Sequence, residues 1–296
     1  MDQLTIVGLG EILWDVLDDA EKLGGAPVNF AHHVNSLGAT GIPISTIGDD
    51  DRGRRALAEL ENHGLRIDAI SLDPDHPTGY VNANVDEFGV AHYAFPDDIA
   101  WDHLSLNDVA RSVTTNLHAV CFGTLAQRTA ISRAAMADFL DRVPATAIKV
   151  FDLNLRQKFY NREVIEASLK RCDVLKLSDE ELQVITAMFG LPQKEREALA
   201  ALVATFGLQL AVVTRGKNGS ILVSPAQLSE HTGFPVTVAD TIGAGDAFTA
   251  ATTLGFLLGH DLATINAHAN RLAAYVCAQE GAMPAIPAEL KLIKSV

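Results

Sequence analysis

Short apolar runs of strand length, separated by segments of helical period, restrict this chain to few folds. The runs are LTIVGLG (4–10), TGIPISTIG (40–48), LHAVCFG (117–123), AIKVFDLN (147–154), DVLKLS (173–178) and LQLAVVTRG (208–216). Between them, PVNFAHHVNSLG (27–38), RAAMADFLDRV (133–143) and EREALAALVATFG (195–207) read as helices, the first with Pro near its start and Gly at its end. Strands this apolar lack polar alternation, so both of their faces are expected to be buried in a mainly parallel sheet between helix layers. A single α/β domain over all 296 residues follows.

One region breaks the rhythm. TGYVNANV (78–85), Asp86-Glu87-Phe88-Gly89 and VAHYAF (90–95) are two alternating runs about a turn, which predicts an antiparallel hairpin. With Ile12 to Leu17 as a further strand, a small sheet drawn from about 11–24 and 66–98 is expected beside the main domain as a lid over a ligand. Its exposed edge also offers a surface on which a second copy pairs into a homodimer.

Charge and cysteine usage narrow the function. Lys plus Arg number 23 against 37 Asp plus Glu, a net charge of −14 that repels nucleic acid and anionic membranes. The one basic cluster, Arg52-Gly53-Arg54-Arg55, follows Asp49-Asp50-Asp51 and reads as a solvated helix start. Cys121, Cys172 and Cys277 are odd in number and far apart, without CxxC spacing, so neither a disulfide framework nor a structural zinc is expected. The start MDQLTIVGLGE has no basic segment of a signal peptide, and the uncharged stretch 247–260 is too short to span a membrane. A cytoplasmic protein with small-molecule partners is the reading. There is no GxxxxGK[ST] loop, and Gly8-Leu9-Gly10 is followed by Glu11 with no third glycine in place, which argues against a dinucleotide fingerprint.

The most informative segment is Asp240-Thr241-Ile242-Gly243-Ala244-Gly245-Asp246, followed at once by the apolar helical run AFTAATTLGFLLG. Small residues at a helix start let a ligand approach unpaired backbone N–H groups, which with the helix dipole make an anion site for a phosphate or a phosphoryl group in transfer. Asp246 repels a phosphate there unless it has a task, and the task that fits is taking the proton of an attacking hydroxyl. An ordinary helix N-terminus, with Asp246 serving the dipole, fits the local pattern equally well. Gly24-Gly25 before the helix containing Asn29 suits a backbone near a ligand, with Asn29 offering a donor and an acceptor to sugar hydroxyls; a plain turn also explains it. Asp15, Asn154 and Arg156 are further polar groups suited to a polyol, the last two at a strand end where parallel sheets bind ligands. Thr214-Arg215-Gly216-Lys217-Asn218-Gly219 suits a nucleotide or a hairpin turn to the next strand. Ser178-Asp179-Glu180-Glu181 has capping-box spacing, and Glu181 also suits holding a water of a magnesium ion.

Two separated motifs, GGAPVNFAHHVNSLGA (24–39) and DTIGAGDAF (240–248), resemble the signatures of the ribokinase-like, PfkB-type sugar kinases, in the order those kinases show. GEILWD (10–15), FGTLAQR (122–128), FDLNLR (151–156) and the lid-like 77–102 are most similar to bacterial fructokinases. The resemblance implies a ribokinase-like fold and transfer of the ATP γ-phosphate, with Mg2+, to a sugar hydroxymethyl group. Asp246 would be the base and Gly243-Ala244-Gly245 the anion hole. Asp15, Gly24, Gly25, Asn29, Gln127 and Asn154 would face the sugar, and Arg156 the substrate or transferring phosphate. Thr214, Gly216 and Gly219 would match the nucleotide loop, Asn270 with Gly281-Ala282 the adenine side, and Ser178 with Glu181 the magnesium region, although Ser178 departs from the family's Asn. Asp240 and the Ile242 carbonyl resemble part of a potassium site. Fructose is the first acceptor implied, with 2-keto-3-deoxygluconate or ribose as alternatives. From another class of function, a catalytically silent sugar or nucleotide sensor remains.

Overall fold

The computed structural model describes residues 3–17, 20–85 and 91–293. Strands β1 (Thr5–Leu9), β2 (Leu13–Leu17) and β3 (Ala20–Gly24) precede helix α1 (Ala26–Ser36). Next come β4 (Thr40–Ile44), β5 (Thr46–Gly48), α2 (Asp51–Asn62), β6 (Ser71–Asp73), β7 (Gly79–Val85) and β8 (Ala91–Ala94). After α3 (Asp108–Val113) the chain alternates through β9 (Ala119–Phe122), α4 (Ala130–Arg142), β10 (Ile148–Asp152), α5 (Arg162–Leu169) and β11 (Val174–Ser178). Helices α6 (Asp179–Phe189) and α7 (Glu195–Phe206) lead to β12 (Leu210–Thr214), β13 (Ser220–Val223) and β14 (Leu228–His231), and α8 (Ala244–Leu257) and α9 (Leu262–Cys277) follow.

Eight strands form the central sheet in the order β14-β13-β12-β11-β10-β9-β1-β4. The six from β12 to β4 pair in parallel, and β13 and β14 extend the sheet antiparallel. Successive strand side chains go to opposite faces, as the pleat requires. On β12, Leu210 and Val212 join the core under α1, α8 and α9, whereas Ala211 and Val213 join the core under α4 to α7. Both cores are apolar, which is why these strands read as hydrophobic runs without polar alternation.

The run 40–48 divides into two strands. Pro43, which has no N–H to donate, sits in β4 at the sheet edge. The chain then leaves the sheet at Ser45, whose carbonyl accepts from Ser71 N at 2.9 Å, so β5 pairs in parallel with β6 in a separate two-stranded sheet.

The predicted hairpin is β7 and β8, antiparallel with Asn82 opposite Ala94; its turn, 86–89, lies outside the described residues. Parallel pairing of β2 with β7, and antiparallel pairing of β2 with β3, complete a four-stranded sheet β3-β2-β7-β8. Residues 66–78 stand outside it, because β6 belongs with β5. Among the described residues no helix is long and apolar enough to cross a membrane.

Candidate active site

The carboxyl ends of the parallel strands open into a cavity of about 820 Å³, bordered by the four-stranded sheet through Leu13, Asp15 and Val81. Two helix starts aim into it. At α1, Gly25 precedes the first turn with φ 118°; a Cβ on it would lie 2.5 Å from the carbonyl oxygen of Glu11, so only glycine lets the chain pass there. At α8, Gly243 is the N-cap with φ 78°, and the first bond of the helix runs from Ala247 N to the Gly243 carbonyl at 2.8 Å. Of the N–H groups before Ala247, Ala244 N makes a long 3.4 Å bond to the Thr241 carbonyl, while those of Gly245 and Asp246 belong to the orphan donors of a helix start.

Asp246 stands in this first turn of α8, and Asn29 in the first turn of α1 donates from Nδ2 to Asp246 Oδ2 at 2.8 Å, across 217 residues of sequence. Burial, and then the charge of Asp152, push the Asp246 carboxyl up to about 6, against the Asn29 hydrogen bond and the cations Lys176 and Arg156. Asn29 Oδ1 is buried without a hydrogen-bond partner. A buried acceptor left open in a polar cavity is costly unless a ligand donates to it.

A second layer lies beneath Asp246. Lys176 Nζ is 3.0 Å from Asp152 Oδ1, Thr249 Oγ1 donates to Asp152 Oδ2 at 2.8 Å, and Lys176 lines the cavity. Burial lowers the affinity of Lys176 for its proton, but Asp152, Glu181 and Asp246 together hold it above the ordinary lysine value, so the ammonium stays charged. Its Nζ is 3.4 Å from where a Gly245 Cβ would stand, so the ammonium lies against the first turn of α8. Lys176 and Asp152 escaped the sequence reading although a signal was present: each interrupts an apolar strand, in VLKLS and KVFD. Glu11, passed over there as the residue that broke a fingerprint, lines the cavity fully buried, and desolvation raises its carboxyl to about 7.

Asp15, Gly25, Asn154, Arg156, Thr214 and Gly216 all line the cavity as expected from sequence. Asn154 takes φ 44°, a left-handed conformation that Asn tolerates, which turns the chain after β10 into the site. Gly24 stands behind Asp15, whose Oδ2 would be 2.8 Å from a Cβ there. Burial raises the Asp15 carboxyl, against the pull of Arg156.

Three residues are placed elsewhere. Gln127 donates from Nε2 to the Gly123 carbonyl at 2.7 Å and to Ser168 Oγ at 3.1 Å, which commits its amide to the protein interior. Asn270 donates to Ser220 Oγ at 2.7 Å and to Asn266, a buried polar network between α9 and β13. Gly219 meets the returning chain, with the His231 carbonyl 2.0 Å from a Cβ built there, so its role is the tight hairpin between β12 and β13.

Ser178 and Glu181 form the capping box of α6: Ser178 Oγ accepts from Glu181 N at 3.1 Å, and Glu181 Oε2 accepts from Ser178 N at 2.8 Å. Glu181 Oε1 also accepts from Leu155 N at 2.6 Å, which ties the loop after β10 to α6. Asp240 accepts from Ile242 N at 3.0 Å and from Gly281 N at 3.3 Å, holding the Gly243 loop against 281–282. Gly281 and Ala282 line a smaller neighbouring cavity of about 220 Å³ together with Asp15 and Ile242.

A carboxylate at a helix start, an open amide acceptor, two cations and backbone N–H groups thus gather around one cavity, a set of groups that suits phosphoryl transfer. The chain belongs to the pfkB family carbohydrate kinases, whose model matches residues 10–289. It is 30% identical to a fructokinase of Klebsiella pneumoniae, over 97% of this chain and 98% of that one. A crystal structure of the sugar kinase PH1459 of Pyrococcus horikoshii superposes with a TM-score of 0.82 at 27% identity, covering 94% of this chain and 93% of that one. The complex of that kinase with ATP superposes at 0.78 and 25% identity, over 95% and 94%. A double mutant of the Vibrio cholerae fructokinase, with fructose, ADP and potassium bound, gives 0.81 at 25% identity and 97% of both chains. The fold is thus that of the ribokinase-like sugar kinases.

Proposed function

We propose that the protein transfers the γ-phosphate of ATP to a hydroxymethyl group of fructose, with Asp246 as the general base. The observation that carries this reading is the contact of buried Asn29 with half-buried Asp246 at the meeting of the two helix starts. Asn29 fixes the carboxylate through Nδ2 and leaves Oδ1 open for a sugar hydroxyl. Asp246 takes the proton of the attacking hydroxyl as that oxygen closes on phosphorus, and its raised affinity for a proton suits it to the task near neutral pH. Backbone N–H groups of Gly243-Ala244-Gly245, with the Lys176 and Arg156 cations on the cavity wall, stabilise charge on the transferring group. Thr214 and Gly216 form the nucleotide side of the cavity, and Asp15 and Gly25 the sugar side.

Both Glu181 oxygens already accept backbone N–H groups, so the carboxylate fits a hydrated Mg2+ held through water better than direct ligation. When bound, that ion supplies neutralisation of phosphate charge. The four-stranded sheet serves as a lid that keeps water from competing with the sugar. Fructose is favoured by the names of the relatives above.

The test is ADP release with ATP and Mg2+ against fructose, glucose, ribose, 2-keto-3-deoxygluconate and tagatose. Fructose should lead, and Asp246→Asn should keep the fold while lowering turnover by roughly 10² to 10⁴. Wild-type turnover in that variant would remove Asp246 as base, and a lead for another sugar would replace fructose.

A further inference from the structure

Away from the catalytic cavity, His76, Asp98 and His103 bring one donor atom each within 4.8 Å of one another. His76 lies in the connection from β6 to β7, whereas Asp98 and His103 lie on the chain leaving β8. The three therefore meet where both ends of the β7–β8 hairpin join the body. His76 Nδ1 is 2.8 Å from Asp73 Oδ2. In the neutral ring that contact places the proton on Nδ1 and leaves the Nε2 lone pair free, the carboxylate–histidine arrangement that orients metal-binding imidazoles. His76 Nε2 is 3.7 Å from Asp98 Oδ1, and His103 Nε2 is 2.8 Å from the same oxygen. The two rings stack at 3.5 Å and 10°.

We propose that His76 Nε2, His103 Nε2 and Asp98 Oδ1 bind a divalent transition ion of the zinc class at the base of the lid. A tetrahedral ion with bonds of about 2.0–2.1 Å holds its donors about 3.4 Å apart, and the observed 2.8 and 3.7 Å bracket that value. Two imidazole nitrogens with one carboxylate oxygen suit zinc and its neighbours better than Mg2+ or Ca2+, which favour all-oxygen sets. Binding requires the stacked rings to open so that their lone pairs converge; Asp98, 76% exposed, is free to follow, and water takes the fourth position. The proton between His103 Nε2 and Asp98 leaves to solvent as the ion enters. An occupied site pins the two ends of the hairpin to each other, so the ion stiffens the root of the lid.

The test is titration of chelator-treated full-length protein with Co2+, followed by Zn2+. One equivalent of Co2+ should give the visible absorption of a tetrahedral site, and Zn2+ should displace it. His76→Gln and His103→Gln should each lose the band with unchanged circular dichroism, and Asp73→Asn should weaken Zn2+ binding by about 10- to 100-fold. Asp246→Asn should keep the band, which separates this site from the kinase cavity. No tetrahedral band in the wild type, a band that survives in both histidine variants, or one lost in Asp246→Asn would overturn the proposal.

Discussion

Asp246 carries a pH prediction whose sign follows from its surroundings. Burial and Asp152 favour the protonated carboxyl, which pushes its pKa up to about 6, and in the reaction proposed above only the ionised form can take the proton of the sugar hydroxyl. The acid limb of kcat/KM should therefore fall as pH drops through about 6, and a pH–rate profile measures it. A limb near 4, where an exposed aspartate titrates, would show that the carboxyl is not desolvated in the working enzyme. Asp246 and Asn29 could be found in sequence because glycines and a helix start surround each of them. Lys176, Asp152 and Glu11 were harder to find, since a charge within an apolar run has meaning only once its partner is known. Lys176 and Asp152 lie 24 residues apart and meet only because β10 and β11 are neighbours.

Helix α8 offers a comparison between its two ends. Gly243 at the start and Gly259 just past the end both take φ above 70°. A Cβ on Gly243 would stand 2.5 Å from the Ala282 carbonyl oxygen, whereas one on Gly259 would meet nothing within 4 Å. Gly259→Ala should cost about 1–2 kcal/mol, the left-handed backbone alone, and leave turnover unchanged. Gly243→Ala should lower both Tm and kcat, because the loop must move off 282 and carry its N–H groups out of line. Equal Tm losses with equal turnover would reject the anion-hole role of that turn. The elements themselves were legible wherever one period dominated, as in α1 and α7, and in β10 and β11 despite the charges of Asp152 and Lys176. Reading 40–48 as one strand failed because periodicity does not record that the chain changes sheets at Ser45; the bond from Ser71 N decides that.

A buried ion pair ties the chain leaving the four-stranded sheet to the body. Arg128 Nε and Nη2 reach the Asp102 carboxylate at 2.6 and 2.5 Å, and its guanidinium lies 4.1 Å over Trp101. Nη2 also bonds the Pro96 carbonyl, just after β8. Asp102→Asn should destabilise the fold by about 3–5 kcal/mol, because it leaves a buried guanidinium without its countercharge. Asp68→Asn, which breaks the exposed pair with Arg66, should cost less than about 1 kcal/mol; similar Tm losses in the two variants would show that the buried pair carries no special weight. Apolar runs and glycine-bounded helix starts, which are local, were enough to define the α/β architecture, the hairpin and the two motifs of the site. Gln127 and Asn270 show where resemblance stops: it placed Gln127 at the sugar and Asn270 at the adenine side, and both spend their amides on partners within the protein. Hydrogen bonds across 41 and 50 residues decided that, as contact across 217 residues made Asn29 and Asp246 one site. Local backbone preference is written residue by residue along the chain, whereas the partner of a buried polar group is set only when distant segments pack and exclude water.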